Sequence, residues 1–110
     1  MEMNFLLAFL LTNIVEFAAV YLMLRGREGL LHIAEIVLLC NLLTLPYVWF
    51  VFPAFLTLPY LPLLALSELF ALSIEMLLYA ASFRNAGALR ATLAAVVANA
   101  VSLLVGFTLS

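Results

Sequence analysis

Leu61-Pro-Leu-Leu-Ala-Leu-Ser-Glu-Leu-Phe-Ala-Leu-Ser-Ile-Glu-Met-Leu-Leu-Tyr-Ala-Ala-Ser82 is an apolar run whose only charges are two glutamates, Glu68 and Glu75. Its length matches the roughly 20 residues that carry an α-helix across a hydrocarbon core about 30 Å thick. A strand is excluded because the apolar residues do not alternate, and because a backbone in lipid must satisfy its hydrogen bonds within the segment. Working outward, the same pattern recurs at Asn4–Leu24, Leu30–Phe52 and Gly87–Leu109. The expected fold is therefore all-α: a polytopic membrane protein, an antiparallel bundle of four transmembrane helices in a single domain over residues 1–110. The first run lacks a basic leading region and a small-residue cleavage site, so it reads as a retained span rather than a signal peptide.

Composition agrees with the runs. Hydrophobic residues make up 69% of the chain and charged residues 9%, with a mean hydropathy of +1.32, against about 45–50% and about 25% in soluble domains. There is no Lys and no Asp, and the net charge of −2 offers nucleic acid no basic face. Cys40 is the single cysteine, which excludes an intramolecular disulfide and a cysteine-based zinc site. No cofactor or metal is implied.

The links between runs are Arg25–Gly29, Pro53–Tyr60 and Phe83–Ala86. Short links make sequential helices antiparallel neighbours. Arg25, Arg27, Arg84 and Arg90 all fall in or beside the first and third links, which lie at one end. By the positive-inside rule that end is cytoplasmic, giving an N-out, C-out protein. The middle link carries no charge and sits near Tyr47, Trp49 and Tyr60, a composition expected either of an aromatic interfacial belt or of a docking surface for another membrane protein. Pro46 removes a backbone hydrogen bond inside the second span and is expected to kink it, freeing a carbonyl near residue 42.

Polar residues inside the spans carry the functional signal. A charged side chain at mid-membrane costs roughly 2.5–3.5 kcal/mol on insertion scales, so such residues normally face protein, water or an ion. Four glutamates do so here: Glu16, Glu35, Glu68 and Glu75. At about 1.5 Å rise per residue from the arginine-bearing ends, Glu35 lies about 8 Å deep, Glu75 about 10 Å and Glu16 about 12 Å. These three are expected to form one layer, with Glu68 at about 21 Å by the same rise and Tyr79 continuing the Glu68–Glu75 face. Asn13, Asn41 and Asn99 populate the middle layer. In the fourth span Ala91, Ala95, Asn99, Ser102 and Gly106 repeat at spacings of three and four, a stripe suited to close helix packing. His32 shares a helix face with Glu35 near the rim. Pairing of Glu35 or Glu75 with Arg90, or neutral carboxyls hydrogen-bonded to Asn or Ser, stands beside a proton- or cation-handling site as an explanation.

The spacing Glu68-x6-Glu75, Ala91-x7-Asn99-x2-Ser102-x3-Gly106, with Asn41-x2-Thr44-x-Pro46 upstream, resembles a pattern of small, uncharacterised prokaryotic four-helix membrane proteins. The likeness covers the C-terminal two thirds and carries no chemistry. Chain length and Glu16 also resemble the small multidrug resistance transporters, which implies proton-coupled cation export through Glu16. That family's Gly- and aromatic-rich third-helix signature is missing, and the arginine bias opposes the dual topology of some members.

Two functions follow. The first is a proton- or cation-coupled transporter or channel-like protein, forming a homo-oligomer because four short helices enclose little volume. Glu16, Glu35 and Glu75 would form its inner site, Glu68 an outer relay step, and the amides its lining. The alternative is a non-catalytic accessory or assembly subunit of a larger membrane complex, its polar residues pairing with partner helices. An enzyme is not expected, since HExxH and GxSxG are absent and the single His lies at the rim. Small size and the lack of an anchoring or retrieval signal point to a prokaryotic cytoplasmic membrane, with the lipid bilayer itself as the first partner.

Overall fold

A computed structural model describes residues 4–109, with side-chain packing described for residues 4–105. Four long helices are present among the described residues: α1 (Phe5–Leu24), α2 (Leu30–Pro46, prolonged by a π-helical stretch Tyr47–Val51 and a short helix α3, Phe52–Phe55), α4 (Tyr60–Ser82) and α5 (Ala88–Leu109). Each is long and apolar enough to cross a membrane.

The ends of the helices follow local chemistry. Asn4 caps α1, its side-chain oxygen accepting from the Leu7 N–H at 2.8 Å. At the other end the chain reverses through Gly26, whose φ of +83° is readily adopted only by glycine. Pro62 stands in the first turn of α4, where its missing N–H has no intrahelical acceptor to lose. A second left-handed glycine, Gly87 at φ +88°, precedes α5, and its carbonyl accepts from Ala91 N–H at 3.0 Å.

The two arginine-bearing links lie side by side. Glu28 Oε2, in the first, accepts from the Ala86 N–H of the second at 2.8 Å. A carboxylate at the start of α5 also complements the positive end of that helix dipole. The Ser82 carbonyl, one of the acceptors left over where α4 ends, accepts from His32 Nε2 at 2.9 Å. His32 stacks edge-on against Phe83 at 5.4 Å, so this residue clips the two hairpins together at the charged end. At the opposite end Phe5 packs on Trp49 and Phe50, and Phe70 on Tyr47 and Phe52, with ring centroids 5.0–5.8 Å apart.

Pro46 deforms the second span in a specific way. Regular α-geometry ends there, and Phe52 N–H bonds the Tyr47 carbonyl five residues back. Widening into a π-turn gives room to two prolines, Pro46 and Pro53, that cannot supply α-helical donors. The apolar helical path therefore runs from Leu30 to Phe55, three residues beyond the expected limit. In the turn before the proline, Thr44 Oγ1 donates to the Cys40 carbonyl at 2.9 Å.

α1 packs against α2 and α5, and α4 packs against the same two helices. The four therefore form a ring in which α1 and α4 sit diagonally, as do α2 and α5. The usual distribution of residues is inverted. Large side chains such as Leu6, Leu31, Leu69 and Leu77 point outward, the distribution expected of helices long and apolar enough to cross a membrane, since lipid is as apolar as leucine. The interior is small or polar: Ala91, Ala94, Ala95 and Ala98 are fully buried on α5. Small side chains let α5 approach α1 and α4 closely, which recovers packing energy that larger side chains would prevent. Ala91 and Ala95 belong to the expected stripe; Ala94 and Ala98 widen it, Asn99 and Ser102 are half-buried, and Gly106 lies outside the residues whose packing is described.

Candidate functional site

The interior of the ring is a column of polar side chains drawn from all four helices. Nearest the aromatic end, Asn99 Nδ2 of α5 donates to Glu68 Oε2 of α4 at 3.1 Å. Next, Asn41 Nδ2 of α2 donates to Asn13 Oδ1 of α1 at 3.0 Å, while Asn13 Nδ2 donates to the Phe9 carbonyl at 2.8 Å. Asn41 also lies beside Glu16 of α1. The column then reaches its centre, where Glu16 and Glu75 of α4 adjoin closely enough to share a proton. Tyr79, one turn further along α4, completes it together with Cys40 of α2.

Burial at this centre is nearly complete. Glu16 is 3% exposed, Glu75 2% and Tyr79 0%. Yet Glu16 Oε1, both carboxyl oxygens of Glu75 and the Tyr79 hydroxyl have no hydrogen-bond partner among the described residues. Two ionised carboxylates are both acceptors, so neither satisfies the other unless a proton or another positive species lies between them. A buried polar group left in this condition is expensive and calls for a physical cause. The arrangement is chemically able to hold a positive species between two acids from diagonally opposed helices.

Among the expected site residues, Glu16, Glu75, Tyr79, Asn13 and Asn41 come together, and Glu68 with Asn99 forms the adjoining pair. Glu35 does not join them: it is exposed on the outward side of α2, whose buried face is Ile33, Val37, Cys40, Asn41 and Thr44. The expectation of a three-glutamate layer thus reduces to a pair. Pairing of Glu75 with Arg90 is not formed either, since Arg25, Arg27, Arg84 and Arg90 are all exposed and both Glu75 oxygens are unpartnered among the described residues.

The two hairpins repeat one another. Buried positions Ala8, Glu16, Val20 and Leu24 of the first correspond, 59 residues on, to Ser67, Glu75, Tyr79 and Phe83. In the following helices Ile33, Val37 and Cys40 correspond, 58 residues on, to Ala91, Ala95 and Ala98, all fully or almost fully buried. The same offset matches Asn41 with Asn99 and Thr44 with Ser102, and the one-residue difference falls in the shorter second link. Combined with the ring order, this places equivalent helices, α1 with α4 and α2 with α5, diagonally opposite one another. Glu16 and Glu75 are the equivalent residues that adjoin across the ring.

The signal was present in the sequence as Glu16-x12-Gly29-x11-Asn41-x2-Thr44 against Glu75-x11-Gly87-x11-Asn99-x2-Ser102. It was hidden because the paired residues share few apolar identities. Cys40, Ser67 and Glu28 were also missed as interior or interhelical groups, because a lone thiol, hydroxyl or loop carboxylate carries no spacing that marks it. No protein-family model, curated protein or solved structure matches the chain.

Proposed function

We propose that this protein is a small ion-transport protein of a prokaryotic cytoplasmic membrane, and that the Glu16–Glu75 pair is its ion-handling centre, taking a proton or a small cation. The observation that carries this reading is a pair of adjacent carboxyls, buried at the meeting point of two equivalent hairpins, with three of their oxygens unpartnered among the described residues. Ionisable groups inside a membrane are costly and are retained where they serve an ion path. Glu68 and Asn99 extend the polar column towards the aromatic end, as a relay step would require. Because each four-helix unit encloses little volume, the working form is a homo-oligomer.

The test is ion movement in vesicles containing the purified protein, followed with a pH-sensitive and a potential-sensitive dye under imposed proton and sodium gradients. Wild-type protein is expected to dissipate a gradient, Glu16→Gln and Glu75→Gln to lose that activity while staying folded, and Glu35→Gln to keep it. Full activity in both core variants rejects the assignment.

Orientation follows from charge. With all four arginines at one end and the aromatic cluster at the other, the N-out, C-out arrangement puts the arginines in the cytoplasm and the aromatic residues at the outer interface. In a Cys40→Ala background, the Thr57→Cys variant is expected to react with a membrane-impermeant maleimide in intact cells, and the Asn85→Cys variant only after lysis. The opposite pattern inverts the topology.

Exposed Glu35 and the apolar link around Phe55, which is 79% exposed, favour one further reading, an accessory subunit whose outer face meets partner helices. Native mass after mild extraction separates the two: a homo-oligomer alone supports transport, and stoichiometric foreign chains support the subunit.

A further inference from the structure

We infer that the Glu16–Glu75 pair, together with the Tyr79 hydroxyl, forms a binding site for one small monovalent cation of the sodium class, held between the two hairpins. It rests on the reading of that pair as the ion-handling centre and names the ion.

The donor set is entirely oxygen: Glu16 Oε1, Glu75 Oε1 and Oε2, and Tyr79 Oη, the four buried atoms that have no partner among the described residues. Hard oxygen donors select hard cations, and the neighbouring Cys40 thiol is the wrong ligand for such an ion. Tyr79 is the independent observation. A fully buried phenol ordinarily finds a hydrogen-bond partner, and this one is unpartnered beside two acids. Its equivalent in the first hairpin is Val20, which has no polar atom, so the repeat does not require a hydroxyl here. A cation lone-pair contact explains why the second hairpin carries one.

The size of the set and its closed packing decide the class of ion. Calcium takes about six to eight oxygens, and magnesium keeps much of its water shell and octahedral geometry. Among the described residues no group of three His, Cys, Asp or Glu is disposed to hold a metal ion, and the four protein oxygens fall short of the number that calcium takes. Organic cations are excluded by packing, because Glu16, Glu75, Tyr79 and Cys40 are all at most 3% exposed. No internal cation competes, as every arginine is exposed. Asn41, tied to Asn13, stands beside Glu16 and holds that carboxyl in place from a third helix.

The test is thermal unfolding of the purified full-length protein in mild detergent, as sodium chloride replaces N-methyl-D-glucamine chloride at constant ionic strength. Wild-type protein is expected to show a saturable rise in melting temperature. Losing one charged or hydroxyl ligand should weaken the apparent sodium affinity roughly tenfold or more in Glu75→Gln and in Tyr79→Phe, with no change in Glu35→Gln. A flat wild-type response overturns the site, as does a response that only calcium or magnesium elicits. If Glu75→Gln does not fold, Tyr79→Phe decides alone, and an unchanged sodium response in it overturns the site. Sodium-dependent stabilisation without flux in vesicles upholds the cation site and removes transport. Flux that depends on Glu75 with a flat sodium response does the reverse, leaving the centre to protons.

Discussion

Replacing Glu75 by methionine is expected to raise the unfolding free energy of the bundle by about 1–3 kcal/mol in sodium-free detergent while abolishing ion movement. Apart from the adjoining acid Glu16, both Glu75 oxygens are buried without a partner among the described residues, and that desolvation is a standing cost of the folded state. Methionine is of similar length, is apolar, and adapts its rotamers to an irregular cavity. The opposite sign is the usual result of changing a buried residue. A gain in stability together with lost activity is the mark of a group kept for function rather than for folding. Reversible unfolding in mixed detergent, followed by the fluorescence of Trp49 or by helix content, measures the change. A clear loss of stability would mean that the carboxyl holds the bundle together, and the functional role would then have to be abandoned.

Ala95→Leu should act in the other direction, with a loss of about 3 kcal/mol. Ala95 is fully buried on α5, in the face where Ala91, Ala94 and Ala98 let that helix approach α1 and α4. A leucine there has no cavity to enter, so either the helices separate or the side chain adopts a strained rotamer. The adjacent change Val96→Leu is the matched control, because Val96 is 41% exposed on the outward side and is expected to move stability by no more than about 0.5 kcal/mol. The same denaturation series compares the two. Equal effects would show that α5 does not hold the close contact its alanines provide.

Much of the molecule is legible in the sequence alone. The run lengths define four spans that coincide with α1, the helical path from Leu30 to Phe55, α4 and α5 to within three residues. The arginines at Arg25, Arg27, Arg84 and Arg90 mark one end, which the Glu28–Ala86 bond closes. Pro46 marks the place where the second span loses α-geometry, although the π-helical stretch that follows and carries the helical path on to Phe55 has no sequence mark of its own. Asn41, Asn99 and the alanines of α5 point inward as their residue types suggest, because an amide in lipid has no alternative partner.

The site itself was only half legible, and the glutamates show why. Depth is a property of position along one helix, and rise per residue is enough to place Glu16, Glu35 and Glu75 in one layer. Whether a side chain at that depth faces the bundle axis or the outside is set by the rotation of its helix. That rotation depends on what the neighbours bury. In α2, Ile33, Val37, Cys40, Asn41 and Thr44 take the inward face, and Glu35 is turned out by the geometry of 3.6 residues per turn. Helix number, length and the charged end are sums over local sequence, since a helix in lipid satisfies its own backbone without help. The meeting of Glu16 with Glu75 across the diagonal, the burial of Tyr79 and the equivalence of the two hairpins are properties of how four helices share one interior, and only the tertiary structure decides them.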